Sequence, residues 1–465
     1  MFVGRETELD RLERSARKGS FQMAVVYGRR RVGKTALISE FAKGRRALFF
    51  TALEQSDADN LRDLAGAVSE FFGSSVLFRS WKDALSFIAD RAAEEPFVFV
   101  FDEFPYAAKR HPALPSELQV AIDHRMKQTG MFLILCGSNQ GFMESDVLGQ
   151  KSPLYGRRTL QMKLVPLGYL EAAEMLAGLS PQDAFRAYAC FGGVPYYLEQ
   201  YDRDATLAEN LAVQFFDSAG FLYGEPQMLL RQELSEPAIY NSILRAIAGG
   251  ATKQGDIAAR VGIETASISR YLATLVDLGI IARAYPFGEN PATSRRGLYR
   301  ILEGSFAFWF RFVMPRTSTI EEGMGRLAAG AITDEVLNTY LGPRFELVCA
   351  EWLRMQALGS LLPLRATHVG SWWGTDPARR EQTDIDVLAA DDSGRLLIGE
   401  CKYRADFNET QALDDLLAKR SLVRGREASW FYLFSRYPAH PSTRKRYAER
   451  DDVRFVTLDD LYGRR

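Results

Sequence analysis

Residues 28–35 read Gly28-Arg29-Arg30-Arg31-Val32-Gly33-Lys34-Thr35, which is a complete GxxxxGK[ST] phosphate loop. The apolar residues 23–27 lead into this loop, and residues 35–41 leave it with the spacing of a helix. Glycines let backbone N–H groups turn toward phosphate oxygens, and the start of the following helix attracts the same anion. This strand-loop-helix context predicts an α/β fold built on a parallel sheet, with a phosphate-binding site at its edge.

The loop residues have separate predicted roles. We expect Lys34 to reach the β- and γ-phosphates of ATP, and the Thr35 hydroxyl to ligate Mg²⁺. The other residues of the loop are expected to surround the phosphates, namely Gly28, Arg29, Arg30, Arg31, Val32 and Gly33. ATP and Mg²⁺ are therefore the predicted cofactors.

A second apolar stretch ends in two acids. Residues 96–101 are apolar or aromatic, as in a strand buried on both faces of a parallel sheet, and Asp102 and Glu103 follow. Ligands of open α/β sheets bind at the carboxyl ends of the strands. We expect Asp102 to hold Mg²⁺ and Glu103 to act as the general base on the attacking water. Together with the loop, this pattern favours ATP hydrolysis over nucleotide binding alone.

A third predicted strand, residues 131–136, ends in Gly137-Ser138-Asn139. In one interpretation Ser138 senses the γ-phosphate, and in the other these residues form a plain turn.

Composition sets the limits for the whole chain. It has 465 residues, 47% of them hydrophobic and 25% charged, with a net charge of −1, which suits about three globular domains. The near-neutral charge argues against a general coat of nucleic acid but permits a local basic patch. The four cysteines show no CxxC pair. Because no apolar run reaches the roughly 18 residues of a membrane span, we expect a cytoplasmic protein without membrane contact.

Residues 166–236 read as successive amphipathic helices, interrupted by a Gly-Gly-x-Pro turn at residues 192–195, and we interpret them as a helical lid. Residues 237–315 contain the pattern of a winged helix-turn-helix, with Thr252 capping its second helix, a third helix at 265–278 and wing strands at 280–285 and 298–302. Its candidate DNA contacts are Ser267, Ser269, Arg270, Arg295 and Arg296. A role in protein contact or regulation is the alternative.

An aromatic cluster, residues 303–312, closes this region. Packing between domains is favoured over stacking on bases. Residues 316–338 are interpreted as a helical connector.

The last 125 or so residues contain a second constellation of charged residues. A turn centred on Ser393 would pair two strands so that Asp386 faces Glu400 and Asp384 faces Lys402. Carboxylates about 5 Å apart repel each other unless a divalent cation lies between them. We therefore predict a metal-dependent site for phosphodiester cleavage, with Asp386 and Glu400 as metal ligands and Lys402 as the stabilising cation.

Glu346, on a helix predicted from Pro343 to Ala357, is a further candidate ligand. The alternative is an Asp-rich hairpin exposed to solvent. The triplet Arg444-Lys445-Arg446 fits a phosphate track or a solvated helix face equally.

Taken together, these motifs resemble the archaeal-type ATPase family, which is related to the STAND and AAA P-loop NTPases. The opening residues Phe2-Val3-Gly4-Arg5-Glu6-x-Glu8-Leu9 are similar to the family's first signature. Residues 154–157 resemble the segment after its sensor strand, which implies that Arg157 contacts the γ-phosphate or acts across a subunit boundary. The C-terminal part resembles the restriction-endonuclease-like domain, with Asp386, Glu400 and Lys402 at its PD-(D/E)xK positions, although no proline precedes Asp386.

We therefore predict an ATPase core (residues 1–165), a helical lid (166–236), a winged helix (237–315), a connector (316–338) and a C-terminal α/β restriction-endonuclease-like domain (339–465). ATP turnover would switch a DNA-processing domain, a function that suits defence against foreign DNA, in a protein able to form nucleotide-dependent homo-oligomers. One alternative is a nucleotide-gated regulator with an inactive nuclease fold. Another is a transcription regulator that reads DNA through its winged helix.

Overall fold

The computed structural model describes residues 2–423 and 429–463 of the chain. These residues divide into two compact units. The first comprises the described residues up to 167 with the short segment 194–196, and the second comprises residues 168–193 and the described residues from 197 onward.

The first unit is built on a five-stranded sheet. Its strands are β1 (Gln22–Tyr27), β2 (Ala47–Thr51), β3 (Val98–Asp102), β4 (Phe132–Gly137) and β5 (Leu160–Lys163). They lie in the order β2-β3-β4-β1-β5, and every neighbouring pair is parallel. The predicted parallel sheet is therefore confirmed. The order places β4 between β1 and β3, so the residues that follow these three strands gather at one edge.

Helices cover both faces of this sheet, as its continuous apolar strands require. They are α1 (Glu6–Ala16), α2 (Lys34–Ala42), α3 (Asp57–Phe72), α4 (Trp81–Glu94), α5 (Phe104–Arg110), α6 (Leu114–His124) and α7 (Gln140–Phe142), with a 3₁₀ turn at Met126–Gln128 and a π turn at Met143–Val147. Alternate residues of β1 face opposite layers. Val25 packs in the core under α3 to α6, and Val26 packs under α1 and α2.

The second unit begins with helices in the region predicted as a lid. They are α8 (Tyr169–Met175), α9 (Pro181–Phe191), α10 (Pro195–Leu198), α11 (Leu207–Phe215) and α12 (Phe221–Glu233). The start of α10 lies in the segment 194–196 that belongs to the first unit.

A helix-turn-helix with a two-stranded wing follows. Its elements are α13 (Pro237–Ala248), α14 (Gln254–Val261), α15 (Thr265–Asp277), β6 (Ile281–Ala284) and β7 (Leu298–Ile301), and the two strands are antiparallel. The predicted element order is confirmed. The predicted cap is wrong, because Lys253 rather than Thr252 occupies the N-cap position of α14 and no side chain caps it.

Short helical segments follow the wing, and the first of them contain the aromatic cluster. They are α16 (Gly304–Phe308), π turns at Trp309–Val313 and Ile320–Met324, a 3₁₀ turn at Met314–Arg316, α17 (Thr317–Thr319) and α18 (Gly325–Gly330). Phe308 is buried and its ring meets those of Phe215 and Tyr340. Phe306, Trp309, Phe310 and Phe312 are buried as well, so packing is confirmed and stacking on bases is excluded.

A mixed sheet forms the C-terminal part. Its elements are α19 (Asp334–Leu358), β8 (His368–Asp376), β9 (Glu381–Ala390), β10 (Leu396–Lys402), α20 (Glu409–Lys419), a 3₁₀ turn at Arg420–Leu422, β11 (Ser429–Ser435), α21 (Pro441–Arg446), β12 (Val453–Thr457) and α22 (Leu458–Leu461). The strand order is β12-β11-β10-β9-β8; β8, β9 and β10 are antiparallel, and β10, β11 and β12 are parallel.

Two predictions for this part have different outcomes. Leu396 pairs with Ala390 and Gly399 with Val387, so the hairpin is centred on Ser393 as predicted. The predicted start of the preceding helix at Pro343 is wrong. Helix α19 begins nine residues earlier, at Asp334, and Pro343 lies inside it. The helix therefore crosses the boundary predicted at residue 338.

The remaining global features concern cysteines and hydropathy. Cys136, Cys190, Cys349 and Cys401 are all free thiols and all buried. In the described ranges, no helix is both long enough and apolar enough to cross a membrane.

Candidate functional site

The phosphate loop joins the end of β1 to the start of α2, and its backbone conformation depends on glycine. Gly28 has φ 152°, and a Cβ atom there would lie 2.3 Å from the carbonyl oxygen of Leu164. Gly33, which precedes α2, has φ 91°. Both conformations are ones that side chains rarely permit. The sequence therefore folds here into a tight loop against the end of β5.

Lys34 lies over this loop. Its Nζ donates to the carbonyl oxygen of Gly28 at 2.9 Å and to that of Arg29 at 3.1 Å, and the residue is only 6% exposed. A phosphate entering the loop would replace these carbonyls with its own oxygens, which form stronger bonds to an ammonium group because they are charged. The position of Lys34 agrees with the predicted role.

Thr35 and Asp102 meet at the same edge of the sheet. The Thr35 hydroxyl donates to Asp102 Oδ2 at 3.0 Å, while Asp102 Oδ1 accepts the N–H of Glu103 at 2.9 Å. This fixes the carboxylate beside the first turn of α2. Both groups offer oxygen atoms, the donors that Mg²⁺ prefers. The pair therefore fits the ion that the motif implies.

Glu103 is held by the third strand of the site. Its φ is 48°, a left-handed conformation at the end of β3. Its Oε2 accepts the N–H of Ser138 at 3.1 Å and the Ser138 hydroxyl at 2.9 Å. Ser138 follows β4 and thus lies between the loop and Glu103. Because Ser138 binds Glu103, the structure favours a role for Ser138 at this site over a plain turn. Sensing of the γ-phosphate by Ser138 stays a prediction.

The sequence did not predict that residues 195 and 196 contact the phosphate loop. Pro195 Cγ lies 3.8 Å from the position of a Cβ on Gly33, and the Arg31 guanidinium lies 5.1 Å from the centre of the Tyr196 ring. The sequence feature that could have pointed to these contacts is the Gly-Gly-x-Pro turn. Its local pattern indicates only a turn between two helices, and does not show what the turn contacts. Arg5, from the opening signature, donates to the carbonyl of Val32 at 3.2 Å.

Two other arginines have defined partners. Arg157 Nε donates to the two carboxylate oxygens of Asp123 at 3.2 and 3.1 Å, and Arg157 also binds the carbonyls of Pro153 and Tyr155. This arginine, with Lys127, holds the pKa of Asp123 well below its usual value. Contact of Arg157 with a γ-phosphate would require that pair to open, and its action stays a prediction. Arg30 donates to the Tyr106 hydroxyl.

The C-terminal acids lie within strands β9 and β10, beside the point where the pairing of these two strands ends. The strand pairing stops one residue short of Glu400 and Asp386, and Asp386 Oδ2 instead accepts the N–H of Cys401 at 2.7 Å. Glu400 accepts from Lys402 through Oε1 and from Lys419 through Oε2, the latter at 2.8 Å. Sequence reasoning missed Lys419, because nothing in the local pattern of α20 points at residue 400.

The ionisable groups of this site affect one another's pKa values. Burial, with Glu400 and Glu346 nearby, raises the pKa of Asp386 to about 8. Burial alone would raise the pKa of Glu400, but Lys419 and Lys402 outweigh it and hold that pKa below its usual value. Burial raises the pKa of Glu346, which also feels Arg300, Asp384 and Lys402. Glu346 therefore does reach this group of acids.

The surroundings of Glu400 bear on the predicted bridging cation. In residues 2–423 and 429–463 no three His, Cys, Asp or Glu side chains are arranged to hold a metal ion. Glu400 pairs with Lys402 and Lys419, so two lysines offset part of the repulsion between Asp386 and Glu400. A metal ion between Asp386 and Glu400 would have to displace these lysines from Glu400, and the predicted metal site stays a prediction. Lys402 is a partner of Glu400 here, and Asp384 lies exposed on β9 opposite Trp373.

Some candidate DNA contacts of the winged helix have partners within the chain, and others are exposed to solvent. Ser269 accepts from Gln254 Nε2 at 2.7 Å, and Arg270 pairs with Glu236. Arg296 pairs with Glu289 at 2.6 Å and donates to the carbonyl of Trp373 in β8, so the wing is tied to the C-terminal sheet. Ser267 and Arg295 are exposed. Arg446 pairs with Asp414 at 3.0 Å.

Comparison with known proteins identifies the family of this chain. An uncharacterized protein of Methanocaldococcus jannaschii, MJECL04, is 31% identical over 428 residues, which span 91% of this chain and 92% of the relative. Residues 2–201 match the family described as an ATPase domain predominantly from Archaea. The chain belongs to this archaeal-type ATPase family. A second relative from the same organism, the uncharacterized ATP-binding protein MJ0423, is 46% identical over 46 residues, covering 10% of this chain and 78% of its own length.

Further matches describe other parts of this archaeal-type ATPase. Residues 242–284 match the IclR helix-turn-helix domain, and residues 309–413 match a family described as archaeal and bacterial proteins of unknown function. The solved Walker-type ATPase PABY2304 of Pyrococcus abyssi is 21% identical, with a TM-score of 0.51 over 67% of this chain and 96% of its own. At that identity the likeness shows the fold alone.

Proposed function

We propose that the protein is a Mg²⁺-dependent ATPase whose nucleotide state controls its other domains. One observation carries this proposal. The hydroxyl of Thr35 and the carboxylate of Asp102 meet at 3.0 Å, next to a glutamate that Ser138 orients. This arrangement joins a phosphate loop to an acidic pair at the carboxyl ends of three adjacent strands.

Each residue then has a defined task. The amides of the loop and Lys34 bind the β- and γ-phosphates of ATP. Thr35 and Asp102 hold Mg²⁺, which when bound neutralises charge on the phosphate oxygens. Glu103 accepts a proton from the attacking water through Oε1, which has no hydrogen-bond partner among the described residues. Ser138 keeps the carboxylate in this orientation.

The nucleotide can act as a switch because several of these contacts change with its charge. ATP would draw Lys34 from the carbonyls of Gly28 and Arg29. A ligand shifts a conformational equilibrium only by its difference in affinity for the two states. Arg31 and Tyr196 connect the loop to the segment 194–196, whose neighbours in the chain belong to the second unit. We propose that this segment transmits the nucleotide state.

Phosphate release from ATP tests the proposal, measured with and without duplex DNA. We expect Lys34→Ala to lose both nucleotide binding and hydrolysis. Glu103→Gln should keep binding and lose roughly 100-fold or more of the hydrolysis rate. Lys43→Ala, at an exposed lysine just after α2, is the matched control and should behave as the unmodified chain. Hydrolysis that survives in Lys34→Ala would refute the assignment.

A second candidate function is phosphodiester cleavage by the C-terminal domain. The observation that favours it is the meeting of Asp386, Glu400 and Lys402 with Glu346 of α19, in the element order helix, three antiparallel strands, helix, strand. Binding of a metal ion there would require Glu400 to release its lysines. The alternative is an inactive domain that serves for contacts.

Plasmid incubated with Mg²⁺ or Mn²⁺ separates these possibilities. A nuclease should nick or linearise the plasmid, and both Asp386→Ala and Lys402→Ala should abolish the cleavage. Asp451→Ala, at an exposed acid of the same domain, is the control. If the unmodified protein leaves the plasmid intact with either metal, the contact function is favoured.

A further inference from the structure

The second unit contains a cavity that neither the phosphate loop nor the C-terminal acids use. Its volume is about 500 Å³, within the range of small-molecule sites. Residues of helix α13, strand β7, the aromatic cluster and helix α19 line it. Most of its lining is apolar or aromatic, including Ile247, Phe312 and Tyr340. Its charged lining residues are Arg300, Arg311 and Arg344, and no acidic residue of the described chain lines it.

These arginines lack the carboxylate partners that such residues usually have. Arg344 is 8% exposed and donates to the carbonyls of Ile301, at 3.0 Å, and Leu302, at 2.6 Å. Within the described part of the chain, Arg311 donates only to the carbonyl of Ala248, at 3.4 Å. Carbonyl groups accept hydrogen bonds but do not neutralise a positive charge. Among the described residues, none of the three forms an ion pair within 4.0 Å.

Arg300 is the least satisfied of them. Its Nε is buried and has no hydrogen-bond partner among the described residues. Burial lowers its pKa, and the attraction of Glu346 only partly opposes this effect. A buried charge that is only partly compensated is costly, and an anion in the cavity would reduce that cost.

An adjoining cavity extends the positive region. It also has a volume of about 500 Å³, shares Arg311 and Ala248 with the first, and is lined by Arg245 and Arg260. No acidic residue in the described ranges lines it either. Two neighbouring cavities that share Arg311 are therefore lined by five arginines in total.

We infer that the cavity bounded by Arg300, Arg311 and Arg344 binds a small organic anion. Its phosphate or carboxylate group contacts the guanidinium groups, and its apolar or aromatic body packs against Phe312 and Tyr340. This site is separate from the proposed ATP site. Guanidinium groups bind phosphates and carboxylates with paired, charge-assisted hydrogen bonds, which suits both head groups.

Calorimetric titration of the full-length Lys34→Ala chain with phenyl phosphate tests the inference, because that variant removes phosphate binding at the loop. Benzoate, inorganic phosphate and benzyl alcohol are titrated in parallel. We expect phenyl phosphate or benzoate to bind, the preference between them identifying the head group. Inorganic phosphate should bind more weakly, since it has no apolar body, and benzyl alcohol should not bind.

Arg300→Gln should weaken this binding roughly tenfold or more, since it removes a charged hydrogen-bond donor. Arg311→Gln, at an exposed residue, gives the same test should Arg300→Gln fail to fold. Arg326→Gln, at an exposed arginine of α18, is the control and should bind normally. The inference is overturned if no aromatic anion binds at millimolar concentration, if inorganic phosphate binds as tightly, or if Arg300→Gln or Arg311→Gln in a folded protein changes nothing. Displacement of phenyl phosphate by a short DNA duplex would also overturn it and assign the arginines to nucleic acid.

Discussion

Ser138 holds Glu103 by two hydrogen bonds to a single carboxylate oxygen, one from its N–H at 3.1 Å and one from its hydroxyl at 2.9 Å. The other oxygen is thereby aimed away from Ser138. A side chain that orients a general base affects the rate more than the affinity for substrate.

Ser138→Ala removes only the hydroxyl bond, because the backbone N–H remains. A hydrogen bond to a charged group is worth roughly 1.5–3 kcal/mol, so we expect kcat for ATP to fall about tenfold with KM little changed. Ser145→Ala, at an exposed serine nearby in the chain, is the control. An unchanged kcat would show that Ser138 does not orient the base.

Gly28 is expected to be irreplaceable for a steric reason. Gly28→Ala would place a Cβ 2.3 Å from the carbonyl oxygen of Leu164 in a strained backbone conformation. We expect the free energy of unfolding to drop by roughly 1–3 kcal/mol from this overlap, together with loss of nucleotide binding. Chemical denaturation measures the effect.

Gly44→Ala is the matched control for that experiment. Gly44 also has a positive φ, 71°, but a Cβ there meets nothing within 4 Å. Gly44→Ala should lower the free energy of unfolding by only about 1 kcal/mol, from backbone strain, and should leave nucleotide binding intact. Equal destabilisation by the two variants would contradict the steric explanation.

Tyr196 should support the loop through Arg31. An exposed cation–π contact contributes roughly 0.5–1 kcal/mol, so Tyr196→Ala should weaken ATP binding by a few-fold. Tyr155 makes a similar contact with Arg158, with the guanidinium 5.8 Å from the ring centre. Tyr155→Ala should therefore leave ATP affinity unchanged. Fluorescence titration with a labelled nucleotide compares the two variants.

Asp386 should make stability depend on pH. Its pKa is raised from 3.8 to about 8 in the folded chain, so the folded state binds more protons than the unfolded state between these values. Its contribution to stability is present below about pH 4 and is lost as the pH rises toward 8. We expect the difference in unfolding free energy between the unmodified chain and Asp386→Asn to change over this window. A difference independent of pH would contradict the raised pKa.

Patterns of neighbouring residues in the sequence correctly predicted the structural elements whose conformation is determined locally. The loop at residues 28–35 lies between a strand and a helix as expected, because glycine spacing and apolar runs determine both. The hairpin around Ser393 was predicted in register, since side chains alternate along a strand and the turn fixes the pairing.

Contacts between distant residues could not be predicted in this way. Lys419 reaches Glu400 from a helix beyond the strand, and Arg157 pairs with Asp123, 34 residues away. The start of α19 was missed for another reason. A proline usually opens a helix, but in a helix of 25 residues the loss of one backbone hydrogen bond at Pro343 is compensated by packing on both sides.

Helix α19 fixes the relative rotation of several groups along a rod of about 37 Å. Arg344 faces the cavity, Glu346 reaches the acids near Asp386, and Glu351 accepts the N–H of Tyr169 at 3.2 Å. Each added residue turns a helix by about 100°. A single alanine inserted between Arg344 and Glu346 would therefore swing one set of contacts away while leaving the other in place, so the length of this helix is constrained even where its side chains are not.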